Sequence, residues 1–520
     1  MTLLAELVRA SQRVGATPAR RVKVNELASL LKALASDEID VGVHYLAGEI
    51  PQGKIGIGYS AVRAAASTPA SASEKLSITE VDRQLTQLAG IRGNGSAARR
   101  AEALKELFSR ATFSEQQFLL RLLIGELRQG ALGGIMVDAI AAAAELPAAP
   151  VRRAAMYSKS LGAVASAALR GGIDALANFQ LELFSPVSPM LAQTAVDVAE
   201  ALQKIHGAAA FEWKMDGARI QVHKSGHEVR IYTRGLNEIT AAIPEIAELA
   251  RTFAERTLVL DGEAIAFDAS GRPHPFQVTM RRFGRKLNVE ASRTALPIQA
   301  FFFDCLRFGD ESIATRTTQE RFEALARAVP ASLLVPRQVT DSEPAARSFY
   351  EAAIAAGHEG VMAKALDAPY EAGNRGAGWL KIKRIHTLDL VVLGAEWGNG
   401  RRTGKLSNLH LGAMDPASGE YVMLGKTFKG LTDAMLTWQT KEFLSREIRR
   451  DPGTVYILPE LVVEIAFSDL QASTRYPGGL ALRLARVKRY RDDKRVEDAD
   501  TMDAVRKIYA AQSHSSGPKN

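Results

Sequence analysis

Residues 184–189, Phe-Ser-Pro-Val-Ser-Pro, divide this chain into parts that cannot share one architecture. Two prolines so close together remove two backbone N–H donors and fix φ twice, so neither a helix nor a central strand runs through them. Before this break the sequence reads as helical. Ser77 followed by Glu80 opens one helix; Ser114 with Gln117 forms a capping box ahead of Phe118, Leu119, Leu122 and Leu123, which supply the apolar face of another. The alanine-rich stretch 140–144 suits close helix packing, and Gly-rich turns fall at 93–95 and 130–134. After the break strands appear. Residues 220–223 and 228–232 flank a Ser225-Gly226 turn and predict a hairpin. Apolar strands follow at 258–267 and 297–303, with a helix over 319–327. From 388–393 onward short strands dominate, including 421–424 and 461–467, around a helix over 434–446.

At 520 residues the chain exceeds what one hydrophobic core organises. Its 47% hydrophobic and 24% charged residues are those of an ordinary soluble protein. A net charge of +8 and a pI near 9.4 favour a negatively charged partner, nucleic acid being the commonest. Cys305 is the single cysteine and lies in an apolar run, which excludes a disulfide framework and a cysteine-rich zinc site. The N-terminus lacks a signal-like apolar core and no long apolar stretch follows, so a cytosolic protein without a membrane partner is expected.

The most informative segment is Phe211-Glu212-Trp213-Lys214-Met215-Asp216-Gly217-Ala218-Arg219. It sets a lysine just before a turn, at the mouth of the predicted hairpin. Such an amine attacks only as the neutral base, so a pKa lowered by desolvation or neighbouring cations is expected for Lys214.

Here the sequence resembles the covalent nucleotidyltransferase superfamily, whose hallmark is Lys-x-Asp-Gly with a nucleotidylated lysine. Thr233-Arg234-Gly235, Leu260-Asp261-Gly262-Glu263, Phe303-Asp304, residues 359–364 (Glu-Gly-Val-Met-Ala-Lys) and 379–383 (Trp-Leu-Lys-Ile-Lys) follow in the family's order. A triphosphate approaching Lys214 needs cations, and the motif positions nominate Arg234, Arg375, Lys381 and Lys383. The resemblance implies that Glu212 accepts from the adenine amino group, that Arg219 and Glu263 bind the ribose region, and that Phe303 stacks on the base. Glu263 and Glu359 are its candidate Mg²⁺ ligands, since a hard cation prefers carboxylate oxygen and bridges phosphates.

Within that superfamily the flanks are similar to the ATP-dependent DNA ligases of the bacterial and archaeal type. Arg491-Asp492-Asp493-Lys494 resembles their Arg-x-Asp-Lys motif, which in that family approaches pyrophosphate during lysine adenylylation and swings away on DNA; Arg491 and Lys494 are the implied pyrophosphate-orienting pair. Residues 127–134 resemble the helical DNA-binding domain of such ligases. An RNA ligase or mRNA-capping guanylyltransferase fits the long helical N-terminus poorly, and an NAD-dependent ligase lacks here the cysteines of its usual zinc module. Gly425-Lys426-Thr427 fails as a phosphate-binding loop because Glu420 stands where that loop needs glycine, and Gly93-Asn94-Gly95 follows no strand. The expected architecture is multi-domain: a helical DNA-binding domain over 1–182, an α+β nucleotidyltransferase (adenylation) domain over 183–386, an OB-fold β-barrel over 387–512, and a flexible tail over 513–520. The expected enzyme is a monomer that uses ATP and Mg²⁺ to seal nicked double-stranded DNA.

Overall fold

A computed structural model describes residues 1–127, 133–158, 160–284, 288–372, 376–399 and 402–513. Arg375 and most of the 127–134 string lie outside the described residues. Among the described residues no helix is long and apolar enough to cross a membrane.

The N-terminal part is helical, from Leu4–Ala16 to Leu161–Leu176, around a single apolar core. Spacing explains it. Leu4–Ala16 buries Leu4, Leu7, Val8, Ser11 and Val14, one stripe of a 3.6-residue period. Ile78–Gly90 starts where expected, with the Ser77 hydroxyl accepting from the Glu80 N–H. The Phe113–Leu123 helix is capped two residues before the predicted Ser114. Thr112 takes that place because Glu115 reaches back to it, accepting from the Thr112 N–H at 2.7 Å and from its hydroxyl at 2.9 Å. The expected turn at 93–95 connects two helices, with Gly93 and Gly95 at positive φ. Gly133 and Gly134, by contrast, begin the helix Gly133–Ala144 rather than a turn.

After the proline break come two five-stranded sheets. One orders the strands Gln193–Thr194, Trp379–Lys383, Gly360–Ala365, Ala209–Lys214 and Arg337–Thr340. The other orders Glu228–Thr233, Ala218–Ser225, Thr257–Ala266, Ile298–Phe308 and Glu311–Ser312, and contains the predicted hairpin. The chain passes from the first sheet to the second through Met215, Asp216 and Gly217 alone, so Lys214 sits at the seam. Val187 and Met190, from the proline-rich break and just after it, pack against Val259, Leu306 and Trp379 and fasten that segment to the sheets.

The C-terminal part is a curled sheet of OB type with its own core. Its long strand His386–Trp397 pairs with Leu406–Met414 and with Val462–Phe467, which in turn pairs with Arg486–Tyr490. The helix Asp433–Ser445 covers part of it, and Met502 and Val505 of the last helix fill the core.

Candidate active site

Three neighbouring antiparallel strands make the floor of the site. In Ala209–Lys214, Gly360–Ala365 and Trp379–Lys383, alternate residues point to opposite faces. Phe211, Val361, Ala363, Leu380 and Ile382 go into the core beneath. Glu212, Lys214, Met362, Lys364, Trp379, Lys381 and Lys383 therefore share the other face, and all line a cavity of about 830 Å³. That is why the two lysines of 379–383 stand two residues apart.

Register then fixes who meets whom. Gly360 pairs with Lys214 on one side and Lys383 on the other. Glu359, one residue earlier, is thus delivered between them, and its Oε2 lies 2.6 Å from both Nζ atoms. Gly360 cannot be replaced cheaply: its φ is +142° and a Cβ would meet Ile382 O at 2.1 Å. At the seam Gly217 has the same kind of necessity, since a Cβ there would lie 2.5 Å from Ala264 O. This close approach brings Glu263 beside Lys214.

Three carboxylates thereby surround one amine, with large electrostatic consequences. Burial pushes Glu263 up to about 8, outweighing its neighbours Lys214 and Arg219. Burial and the adjacent Glu359 push Asp216 up to about 6, against Arg483. Burial would raise Glu359 too, but Lys214 and Lys383 hold it at about 2. For Lys214 burial favours the neutral amine, yet Glu359 and Glu263 prevail and hold the ammonium above the ordinary lysine range. The lowered value expected from the sequence is therefore corrected: the acids packed around the amine outweigh its burial.

The other nominated residues fall as follows. Glu212 is buried, its carboxylate held by Arg337 at 2.6 Å and Lys364 at 2.5 Å. Arg219 is clamped by Asp261 at 2.6 and 3.2 Å, by Tyr370 Oη at 3.0 Å and by Met190 O at 2.6 Å, and its guanidinium carbon lies 5.4 Å from the Phe303 ring centre. Phe303 lines the cavity edge-on to Trp379, while Phe302 is wholly buried, as expected for part of that run. Arg234 reaches the cavity from an exposed position. Arg491 and Lys494 do not line it. Both meet Asp389 Oδ2 on the C-terminal sheet, at 2.8 and 2.7 Å.

The sequence reading gave no role to several residues that shape this site. Asp261 and Lys364 lay inside quoted motifs, so their signal was present. Arg337 and Tyr370 had none. Nor did Arg483, which comes to the cavity from a separate two-stranded sheet of the C-terminal part, Asp469–Ala472 with Leu480–Arg483, and lies 3.6 Å from Asp216.

Among the described residues no three His, Cys, Asp or Glu side chains form a metal cage. Glu263, Asp216 and Glu359 nonetheless give hard oxygen donors beside the amine. They suit an ion held by one or two carboxylates and completed by phosphate and water, the habit of Mg²⁺.

Residues 189–383 match the family described as ATP dependent DNA ligase domain, 52–141 the DNA ligase N terminus, and 402–494 the ATP dependent DNA ligase C terminal region. A Probable DNA ligase of Anaeromyxobacter dehalogenans (strain 2CP-C) is 58% identical over 510 residues, spanning 98% of this chain and 99% of that protein. One from Mycobacterium sp. (strain KMS) is 53% identical over 523 residues, with 98% and 99% covered. Among solved structures, the one named Pmar-Lig_Pre. is similar with a TM-score of 0.61 at 19% identity, covering 94% of this chain and 99% of its own, a likeness of fold. With a lysine-centred cavity between two sheets, a helical region before it and an OB-type sheet after it, this chain belongs to the ATP-dependent DNA ligases, the enzymes that seal nicks in DNA.

Proposed function

We propose that Lys214 is the nucleophile that carries AMP, and that the enzyme works as a cytosolic monomer on nicked duplex DNA through three transfers. First, neutral Nζ attacks the α-phosphorus of ATP; an N–P bond forms, the P–O bond to the β-phosphate breaks, and pyrophosphate leaves. The amine's proton must leave to solvent before attack; Glu359, 2.6 Å away and held at about 2, pairs with the ammonium and does not take that proton. Next, a nick's 5′-phosphate takes the adenylyl group from Lys214 Nζ. Finally the 3′-hydroxyl attacks that activated phosphorus, joining the strand and releasing AMP.

On this reading Phe303 is the platform for adenine and Glu212 its polar contact. Arg219 and Glu263 face the ribose; Arg234, Lys381, Lys383 and Arg375 take the phosphates. Glu263 and Glu359 would hold Mg²⁺, which would supply Lewis-acid stabilisation of the phosphoryl charge. Arg491 and Lys494 would orient the leaving pyrophosphate after the C-terminal domain closes, and DNA would be gripped by the helical domain over 1–182. The division at 182 and 386 follows the proline break and the strand that begins at His386.

The observation that carries the reading is Lys214 itself: a partly buried amine on the cavity floor, with an acid in contact and seven other nominated nucleotide contacts (Glu212, Arg219, Arg234, Glu263, Phe303, Lys381 and Lys383) lining the same cavity. The test is peptide mass spectrometry after incubation with ATP and Mg²⁺. One AMP on Lys214, lost on adding nicked duplex, is expected; AMP on another residue, or none on folded protein that binds ATP, defeats the proposal.

A further inference from the structure

Arg491 and Lys494 are gathered by a feature that the ligase reading does not require. In His386–Trp397 the side chains of Leu388, Leu390 and Val392 enter the barrel core, so Asp389 lies on the outer face. The strand alongside behaves likewise: Val463 and Ile465 go inward and Glu464 outward. Asp389 and Glu464 are directly paired across the two strands, and Glu464 is paired in turn with Arg489. Two acids set side by side repel each other unless cations compensate them. Glu464 is answered by Arg489 at 2.8 Å. Asp389 is answered by Arg491 and Lys494 together, both on its Oδ2.

Asp389 is also held from behind. Its N–H donates to Asp500 Oδ2 at 2.8 Å, and the Asp500 N–H donates to the Asp389 carbonyl at the same distance. The carboxylate is thus fixed by backbone, sheet register and burial, with 8% of the residue exposed. Lys494 is the looser partner, its side chain 32% exposed, while Arg491 is 14% exposed and is also held by Asp493 at 2.7 Å.

We propose that Asp389 is a positioning residue for the first chemical step. It collects Arg491 and Lys494 onto one oxygen, so that both leave the outer face of the sheet as a pair when the domain closes over a triphosphate. Arg491, already clamped by Asp493 at 2.8 and 2.7 Å, and the more exposed Lys494 are thereby brought close together before pyrophosphate arrives, which removes part of the ordering cost from the step. This rests on the proposed pyrophosphate role of Arg491 and Lys494, and it predicts an effect confined to lysine adenylylation.

The test compares Asp389→Asn, Arg491→Ala and the double variant in two assays on the full-length enzyme. One is the single-turnover rate of AMP transfer from ATP to Lys214; the other is sealing of a nick that already carries 5′-adenylate. Asp389→Asn should slow the first about tenfold, leave the second unchanged, and add little to Arg491→Ala, the signature of two residues acting as a unit. Fully multiplicative effects in the double variant would overturn the proposal. If Asp389→Asn also loses sealing, Asp389→Glu decides: normal sealing with intermediate labelling sustains the positioning role, and parallel loss in both assays ends it. Should Arg491→Ala leave labelling untouched, the pyrophosphate role fails first. A slow Arg491→Ala beside an unimpaired Asp389→Asn defeats only the inference drawn here.

Discussion

Around Lys214 three carboxylates crowd one amine, whereas on the outer face of the C-terminal sheet two cations crowd the single carboxylate of Asp389. The first cluster is set by register: Gly360 lies opposite both lysines, and Gly217 lets Glu263 approach. It is poorly solvated, and its acids are spread from about 2 for Glu359 to about 8 for Glu263. The second differs in its backbone: its buried acid lies within a strand, but its two cations come from the segment that follows a strand, with side chains 14% and 32% exposed. Low dielectric makes neighbouring charges sensitive to one another, and strand register holds them in place. One cluster is therefore suited to holding atoms in fixed places while charge changes, whereas the cations of the other, on a connecting segment, are less tightly placed.

The sharpest way to break this contrast starts from a symmetry inside the first cluster, where Lys214 and Lys383 stand at the same 2.6 Å from Glu359. Lys214→Ala should abolish AMP labelling, a loss of at least about 10⁴-fold, while Lys383→Ala should slow it by only about 10–100-fold. Labelling moved to Lys383 in the first variant would show that the seam does not single out one amine. The next effect is on stability. Arg321 and Asp304 form a fully buried pair directly behind Phe303, at 2.8 Å. Arg321→Ala leaves the Asp304 charge unpaired and should cost about 3–5 kcal/mol in denaturant unfolding. A much smaller loss would mean that the scaffold under the cavity is looser than its hydrogen bonds imply. Phe303→Ala should then raise the ATP concentration for half-maximal labelling about tenfold and leave the fold intact. An unchanged value would remove Phe303 as the base platform.

What could be read from the chain beforehand follows the same division. The proline break, the hairpin and the strands were legible because turns and period-two patterns are local signals. The cavity's lysines and acids were legible through motif order, and alternation along 379–383 explains their common face. Helix starts were less so: Thr112 caps instead of Ser114 because the choice depends on where Glu115 can reach. The sign of the Lys214 shift was missed because it depends on distances between strands that are 145 residues apart in sequence, not on the residues beside it. Arg337, Tyr370 and Arg483 act through tertiary contacts alone, at positions where their own neighbours in the chain carry no chemical pattern.

The smallest expected effect tests the electrostatic half of the contrast. A free carboxyl like that of Glu263 ionises near 4.5, whereas in the folded protein it does so at about 8. Between those values the folded state binds a proton that the unfolded chain has released, so stability attributable to Glu263 declines as pH rises through this window. Glu359 has the opposite sign. Held at about 2, it stabilises the fold above about 4.5 and ceases to do so only as pH falls toward 2, well outside the range of interest. Asp216, raised to about 6, contributes in the same direction as Glu263 but is retained in both proteins compared. Melting curves of the wild type and Glu263→Gln without nucleotide or metal should therefore diverge between about pH 5 and pH 8, the variant gaining a few degrees relative to the wild type at the upper end. Parallel curves would mean that water already reaches Glu263.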